Sequence, residues 1–370
     1  MIVGCVKEVK RYEYRVGLTP ENVQQYVAAG HTVYVQAGAG EGAGFSDAQY
    51  IERGAAILQT AAEVWAKCDM IVKVKEPLEE EFDLMREGQI IYTYLHLAAD
   101  QALTEKLLEK KVKAVAYETI EDQDGGLPLL KPMSEVAGRL SIQVGAQCLE
   151  KRMGGMGLLL GGVPGVERAR VVIIGAGVVG VAACKMAVGL GAAVTILDRN
   201  QERLAYLDDI FGQRVQTLAS SPVSIERALM EADLVIGAIL VPGAAAAKLI
   251  RREHLSRMKP GSVIVDVAVD QGGCCETTKA TYHDAPTFIV DGVVHYGVAN
   301  MPGAVSKTST MALTNATVKY GVKIASLGLE TAAKEDPGLA LGVNCYLGQM
   351  TCKAVADEFK LPYQELAALI

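Results

Sequence analysis

Aromatic residues are scarce in this chain: five Phe, one Trp and 14 Tyr among 370 residues. Glycine is plentiful at 38, and Ala and Val are abundant, a balance suited to helices packed closely on a sheet. Long charge runs are missing as well. With 50% hydrophobic and 21% charged residues, the composition excludes an intrinsically disordered chain. The net charge is −7, and the densest basic patch, EKLLEKKVK (105–113), alternates in sign along a solvated helix face. No nucleic-acid surface is therefore expected.

Eight cysteines are scattered, two of them adjacent at Cys274 and Cys275, with no CxxC pair and no Cys/His spacing for a metal. Free thiols in a reducing cytoplasm, and no metal centre, are the expectation. MIVGCVKEVKRYEYR (1–15) lacks the layout of a secretory signal, which also points to the cytoplasm. Residues 171–197 carry a single charge, Lys185, and are long enough to span a bilayer. Their glycines divide the run into strand, turn, helix, turn and strand, so no membrane segment is expected. There is no GxSxG nucleophile elbow, which argues against Ser–His–Asp hydrolysis.

A chain of this length holds about two domains. In the first third, IVGCV (2–6), TVYVQ (32–36), MIVKV (70–74), QIIYTYL (89–95) and KAVAYE (113–118) read as buried strands separated by amphipathic helices. A loop rich in Asp, Gly and Pro (121–132) ends this unit, and a long helix follows with Ser134 placed to cap it. A second alternation runs through VVIIG, AVTILD, VQTLAS, LVIGAIL, SVIVDVAV and VVHYGVAN. Beyond residue 303 the pattern reads as helical to the end, long enough to pack back on the first unit. The expected fold is α/β, with two doubly wound domains. Residues 131–303 are expected to form one of them, and residues 1–130 with 304–370 the other, discontinuous one.

VVIIGAGVVG places Gly175, Gly177 and Gly180 in GxGxxG spacing between a β-branched run and a helical pattern, with the strand AVTILD ending on Asp198. In that context the motif signals dinucleotide binding, so residues 131–303 are expected to be a Rossmann NAD-binding domain and residues 1–130 with 304–370 the substrate domain. Gly175 permits the tight turn, Gly177 lets a pyrophosphate approach the backbone, and Gly180 allows close helix–strand packing. The helix N-terminus offers free N–H groups to the phosphates. Asp198 can accept from both ribose hydroxyls and repel a 2′-phosphate, favouring NAD over NADP, although Arg199 follows at once.

Ligands of open α/β sheets bind beyond the carboxyl ends of the strands. Lys75 stands there after MIVKV, His96 after QIIYTYL, Glu118 at the end of KAVAYE and Asp270 after SVIVDVAV, while Arg15 lies in the loop behind the first strand. His96 is one of only five histidines. Each has a plainer reading: a core histidine, a surface lysine, a salt-bridged arginine, a turn aspartate, and a Glu118 paired with a neighbouring cation. Taken together they suit oxidation of an amino acid at Cα. Arg holds a carboxylate, His moves protons near neutral pH, a carboxylate orients water, and a nicotinamide takes the hydride.

The blocks RVGLTP (15–20), VKVKEP (72–77), LHLA (95–98), MSEVAGR (133–139), GGVPGV (161–166), IGAGVVG (174–180), DVAVDQGG (266–273), VANMPG (298–303), KTST (307–310) and ALTNAT (312–317) resemble bacterial NAD-dependent alanine dehydrogenases nearly end to end. The resemblance implies a homo-hexamer of two-domain subunits that reversibly converts L-alanine, NAD+ and water to pyruvate, ammonium and NADH. It implies Arg15 and Lys75 as substrate-binding residues, His96 as the acid/base and Asp270 as the second catalytic group. For the cofactor it implies Ser134, Val178, Val179, Asp198, Arg203, Ser220, Ile239, Leu240, Val267, Asp270, Lys279, Val298, Asn300 and Met301. Two departures from the family pattern are Arg199, where a small apolar residue is usual, and Gly17, where alanine is frequent. The competing reading is a hydride-passing NAD(H)-binding module like the soluble subunit of transhydrogenase.

Overall fold

Beginning at Ile2, the chain lays down six strands, β1 (Ile2–Cys5), β2 (Thr32–Gln36), β3 (Ala56–Leu58), β4 (Met70–Val72), β5 (Ile90–Thr93) and β6 (Lys113–Ala116). Seven more follow: β7 (Arg170–Ile174), β8 (Ala193–Asp198), β9 (Val215–Ala219), β10 (Leu234–Gly237), β11 (Val263–Asp266), β12 (Thr287–Val290) and β13 (Val293–Tyr296). The tail adds β14 (Val343–Tyr346) and β15 (Gln349–Met350). The computed structural model describes residues 1–239 and 247–370. It divides into two units, Met1–Met133 with Val305–Ile370, and Ser134–Ala304.

In the first unit the sheet order is β15-β14-β6-β5-β4-β1-β2-β3. The strands from β3 to β6 are parallel, and β14 joins antiparallel to β6. In the second unit the order is β12-β13-β11-β10-β7-β8-β9, parallel except for β12. Within each sheet the chain starts centrally, builds to one side, then returns and builds to the other. That reversal opens a crevice at the carboxyl ends of the strands beside β1 and β7. The segment 171–197 lies within β7, the helix Val178–Gly189 and β8, as its glycines indicate. No helix among the described residues is long and apolar enough to cross a membrane.

The doubly wound α/β class is the one read from the sequence, but several elements differ. The tail is not helical throughout, because Val343–Tyr346 extends the first sheet as a buried strand. Its four residues are too few to reveal a period. Ser134 does not cap the long helix. That helix runs Lys131–Cys148, so Ser134 lies in its first turn, with Pro132 where a missing N–H costs nothing. The strands also stop short of their apolar runs, because side chains intercept the ladder. The amide of Val74 donates to Glu8 Oε1 at 2.6 Å, and the amide of Leu95 to Glu118.

All eight cysteines are free thiols, seven of them buried. Burial pushes the Cys5 and Cys184 thiols up to about 12, so both are inert packing groups.

Candidate functional site

In the first unit, four chain segments leave the carboxyl edge of the sheet and each carries a predicted residue. After β1, Arg15 is buried, and its guanidinium donates through Nε and Nη2 to Glu13 Oε1 and Oε2 at 2.7 and 2.6 Å. Nη1 points at the Met133 sulfur at 3.1 Å. The same loop is tied to the tail helix Ser306–Leu327 by Val16 N–H donating to Thr310 Oγ1. Gly17 lies against β4, where an added Cβ would sit 2.8 Å from the Val72 carbonyl oxygen.

After β4, Lys75 is partly buried, and its carbonyl accepts from Thr93 Oγ1 at the end of β5. Its Nζ has no hydrogen bond or ion pair among the described residues. Burial, and then the charge of Arg15, lower the lysine's pKa from its ordinary value. That coupling places the two cations in one electrostatic neighbourhood.

Beneath Lys75 lies a feature absent from the sequence reading. Lys73 is fully buried, with Nζ 2.8 Å from Glu81 Oε1 and 3.4 Å from Glu8 Oε2. Burial raises Glu8 to about 7 against the pull of Lys73. In VKVKEP the two lysines alternate, one to the site and one to the interior. That period-two signal was available in the sequence.

After β5, His96 is exposed and adopts the left-handed conformation, φ 50° and ψ 39°. Its ring lies 5.8 Å from that of Tyr94. Tyr94 donates to the Leu129 carbonyl at 2.6 Å, and the charges of Arg15 and Glu118 both reach it. Glu118 does not end a strand, because β6 stops at Ala116 and Glu118 sits in the 3-10 turn Tyr117–Thr119. Nor does it pair with a cation among the described residues. Its carboxylate accepts the N–H groups of Leu95 and His96. The structure thus links Lys75, Arg15, Tyr94, His96 and Glu118 along one edge of the first sheet.

In the second unit the glycine turn follows β7. Gly175 has φ 106°, and a Cβ there would lie 2.6 Å from the Ala238 carbonyl oxygen. A Cβ on Gly180 would fall 1.8 Å from the Gly175 carbonyl oxygen. Both positions require glycine. Gly177 differs: it caps the helix Val178–Gly189 with no side chain, and a Cβ there meets nothing within 4 Å. The helix's first amides therefore open onto space, as an anion-binding end requires. Val178 and Val179 form its first turn.

Asp198 closes this turn from β8. Its Oδ2 accepts from Ala176 N–H at 2.6 Å and its Oδ1 from Asn200 N–H at 2.8 Å. Each oxygen keeps a lone pair for a further donor. Arg203 donates through Nε to the Ala176 carbonyl at 2.8 Å, and Ser220 N–H donates to the Asp198 carbonyl at 2.8 Å. Gly175, Gly177, Asp198, Arg203 and Ser220 are thus one cluster. Ile239 follows β10 beside Gly175, while Leu240 lies outside the described residues.

Beyond β11 the buried Asp266 organises the loop that carries Asp270. Its carboxylate accepts the N–H groups of Ala268, Cys274 and Cys275, each at 3.2 Å. Val267 N–H donates to the Gly237 carbonyl. Asp270 lies exposed in the 3-10 turn Val269–Gln271, and its Oδ2 accepts from Asn300 N–H at 3.4 Å. Asn300 is itself left-handed at φ 62°, flanked by the buried Val298 and Met301. Lys279 places its Nζ over the Phe288 ring at 4.5 Å, and no contact among the described residues joins it to the glycine turn. Ser134 is the first residue of this unit and partly buried.

Two family models match the chain: "Alanine dehydrogenase/PNT, N-terminal domain" over residues 4–137 and "Alanine dehydrogenase/PNT, C-terminal domain" over residues 141–353. An alanine dehydrogenase of Methanococcus maripaludis is 56% identical over 98% of both chains. One of Halomonas elongata is 55% identical over 100% of both. A solved L-alanine dehydrogenase structure superposes with a TM-score of 0.95 at 53% identity, covering 97% of this chain and 99% of that one. A transhydrogenase from Sinorhizobium meliloti shares the fold, with a TM-score of 0.81 at 24% identity. Whole-length identity above half, matched by both domain models, establishes that the chain belongs to the alanine dehydrogenase/PNT family.

Proposed function

We propose that the protein is an NAD-dependent L-alanine dehydrogenase, interconverting L-alanine, NAD+ and water with pyruvate, ammonium and NADH, and that it works as a homo-hexamer. The observation that carries the reading is the edge of the first sheet. There an exposed histidine in a left-handed turn shares Tyr94 as a neighbour with the Arg15–Lys75 cation pair.

Asp198, Arg203 and the open amides behind Gly177 fit a dinucleotide. The turn is shaped by glycines on two sides and left open on the third. Bound there, NAD supplies the hydride acceptor. Arg15 meets the substrate carboxylate through Nη1, because its other edge is turned to Glu13. Lys75, with its lowered pKa, donates to the carbonyl oxygen of pyruvate or to the hydroxyl of the water adduct. His96 accepts the proton of the attacking water and returns it in the reductive direction. Asp270 is the second catalytic group, oriented by Asn300 N–H, and stabilises the positive charge on the substrate nitrogen. Asp198 selects the unphosphorylated ribose.

The competing hydride-passing module rests on a likeness at 24% identity, against 53–56% for the alanine dehydrogenases. Purified protein supplied with L-alanine and NAD+ decides between the two, with L-serine, glycine and L-lactate in parallel. NADH formation with a clear preference for alanine supports the proposal. Silence with alanine, beside intact NADH binding, sinks it.

A further inference from the structure

Glu118 is a side chain for which neither the family resemblance nor the proposed chemistry has a role. Its carboxylate accepts from His96 N–H at 2.6 Å (Oε1) and from Leu95 N–H at 3.1 Å (Oε1) and 3.2 Å (Oε2). No cation pairs with it among the described residues. Two successive amides converging on one anion make a small concave nest, a shape that neither a straight strand nor a helix provides. The nest forms where β5 ends and the chain turns into the left-handed conformation at His96, one that a residue with a Cβ rarely adopts unaided.

The support behind Glu118 is rigid. Tyr117, the residue before it, is fully buried, packs edge-on against Tyr92 and Tyr94, and donates to the Lys73 carbonyl at 3.0 Å. Thr119, the residue after it, donates to Asn344 Oδ1 on β14 at 2.8 Å. On the far side of His96, its carbonyl accepts from Ala99 N–H, and Asp100 caps the helix Gln101–Glu109. The turn is thus clamped from both ends, and the clamp at the histidine itself is Glu118.

We infer that Glu118 is a positioning residue: by binding the Leu95 and His96 amides it holds His96 in the left-handed turn and so aims the imidazole. The inference rests on the reading of His96 as the acid/base. A carboxylate suits the task because both of its oxygens accept. Glutamine keeps one acceptor, and alanine keeps none.

The test is a double-mutant cycle on the full-length protein, following alanine-dependent NADH formation and NADH binding by fluorescence. Glu118→Ala should lower kcat by about 100-fold and Glu118→Gln by about tenfold, the size expected when a catalytic group is displaced by roughly an ångström. NADH affinity should be unchanged. In a His96→Ala background, adding Glu118→Ala should change the residual rate by less than about threefold, since the group it aims is gone. A general structural role would instead lower the rate by the same factor in both backgrounds, and additivity overturns the inference. So does wild-type kcat in either Glu118 variant. If Glu118→Ala does not bind NADH, folding is lost and Glu118→Gln decides alone. Near-normal turnover by His96→Ala itself would overturn the reading of His96, a result distinct from either Glu118 outcome.

Discussion

Glu13 grips Arg15 along the guanidinium edge that would otherwise receive a ligand carboxylate in bidentate fashion, with Nε and Nη2 at 2.7 and 2.6 Å from its two oxygens. Both side chains are almost wholly buried. The pairing fixes the plane of the guanidinium and turns Nη1 toward Met133. A buried, planar, bidentate pair is far more rigid than an exposed one. Arg15 is therefore presented in advance of any substrate.

Glu13→Gln is accordingly expected to act on substrate binding more than on turnover. It keeps the shape but removes the charge that holds the fork. We expect KM for pyruvate to rise about tenfold, or roughly 1.4 kcal/mol, with kcat within a factor of about three. Steady-state kinetics in the reductive direction measure both. A kcat loss without a KM change would contradict this role.

The glycine turn separates fold from binding. Gly175→Ala places a Cβ against the Ala238 carbonyl at a φ of 106°, and should destabilise the protein by on the order of 3 kcal/mol. Gly177→Ala adds a methyl group to open space and should cost less than about 1 kcal/mol. It should nevertheless weaken NADH binding, because the methyl occupies the approach of the pyrophosphate. Urea unfolding beside NADH titration distinguishes the pair. Equal stability losses would mean that the turn is tighter than its geometry indicates.

Asp198 braces Ala176 and Asn200, and in the proposed reading it also faces the ribose. Asp198→Gly should lower the preference for NAD over NADP by about tenfold or more, through loss of the ribose contact and of the repulsion toward a 2′-phosphate. The comparison is kcat/KM with each coenzyme. An unchanged ratio would show that Asp198 only braces the turn.

The buried Glu8 ties stability to pH. Its pKa is raised from 4.5 to about 7 in the folded protein, chiefly by desolvation. Between those values the unfolded chain has released this proton and the folded chain still holds it. The stability Glu8 contributes is therefore full below about pH 4.5 and declines as pH rises to about 7. Glu8→Gln removes that decline, so its stability relative to the parent should improve with pH across the window. Urea denaturation of both proteins at pH 5, 6, 7 and 8 checks the sign. A difference that shrinks with rising pH would show that Lys73 holds Glu8 ionised throughout.

Several features of this protein follow from the sequence alone. GxGxxG between a β-branched run and an apolar helix specifies a strand–turn–helix unit wherever it folds, because the constraint is local: no Cβ can occupy Gly175 or Gly180. Alternation of apolar strands with amphipathic helices likewise determines the doubly wound class, since such strands must be covered on both faces. From that class follows a carboxyl edge in each sheet, with Lys75 and His96 beyond the strands of the first and Asp270 beyond those of the second. Tertiary structure decided what periodicity cannot carry. Strands β4 and β5 end where the Glu8 and Glu118 carboxylates take amides from the ladder, partners 66 and 23 residues away in sequence. Glu118 read as a partner for a cation and proved to be an acceptor for backbone. Lys73 and Arg15 found their carboxylates inside the fold, and β14 became a strand only because β6 offered an open edge. A side chain's type limits what it can bond, but burial and the neighbours that folding brings to it select which of those bonds is made.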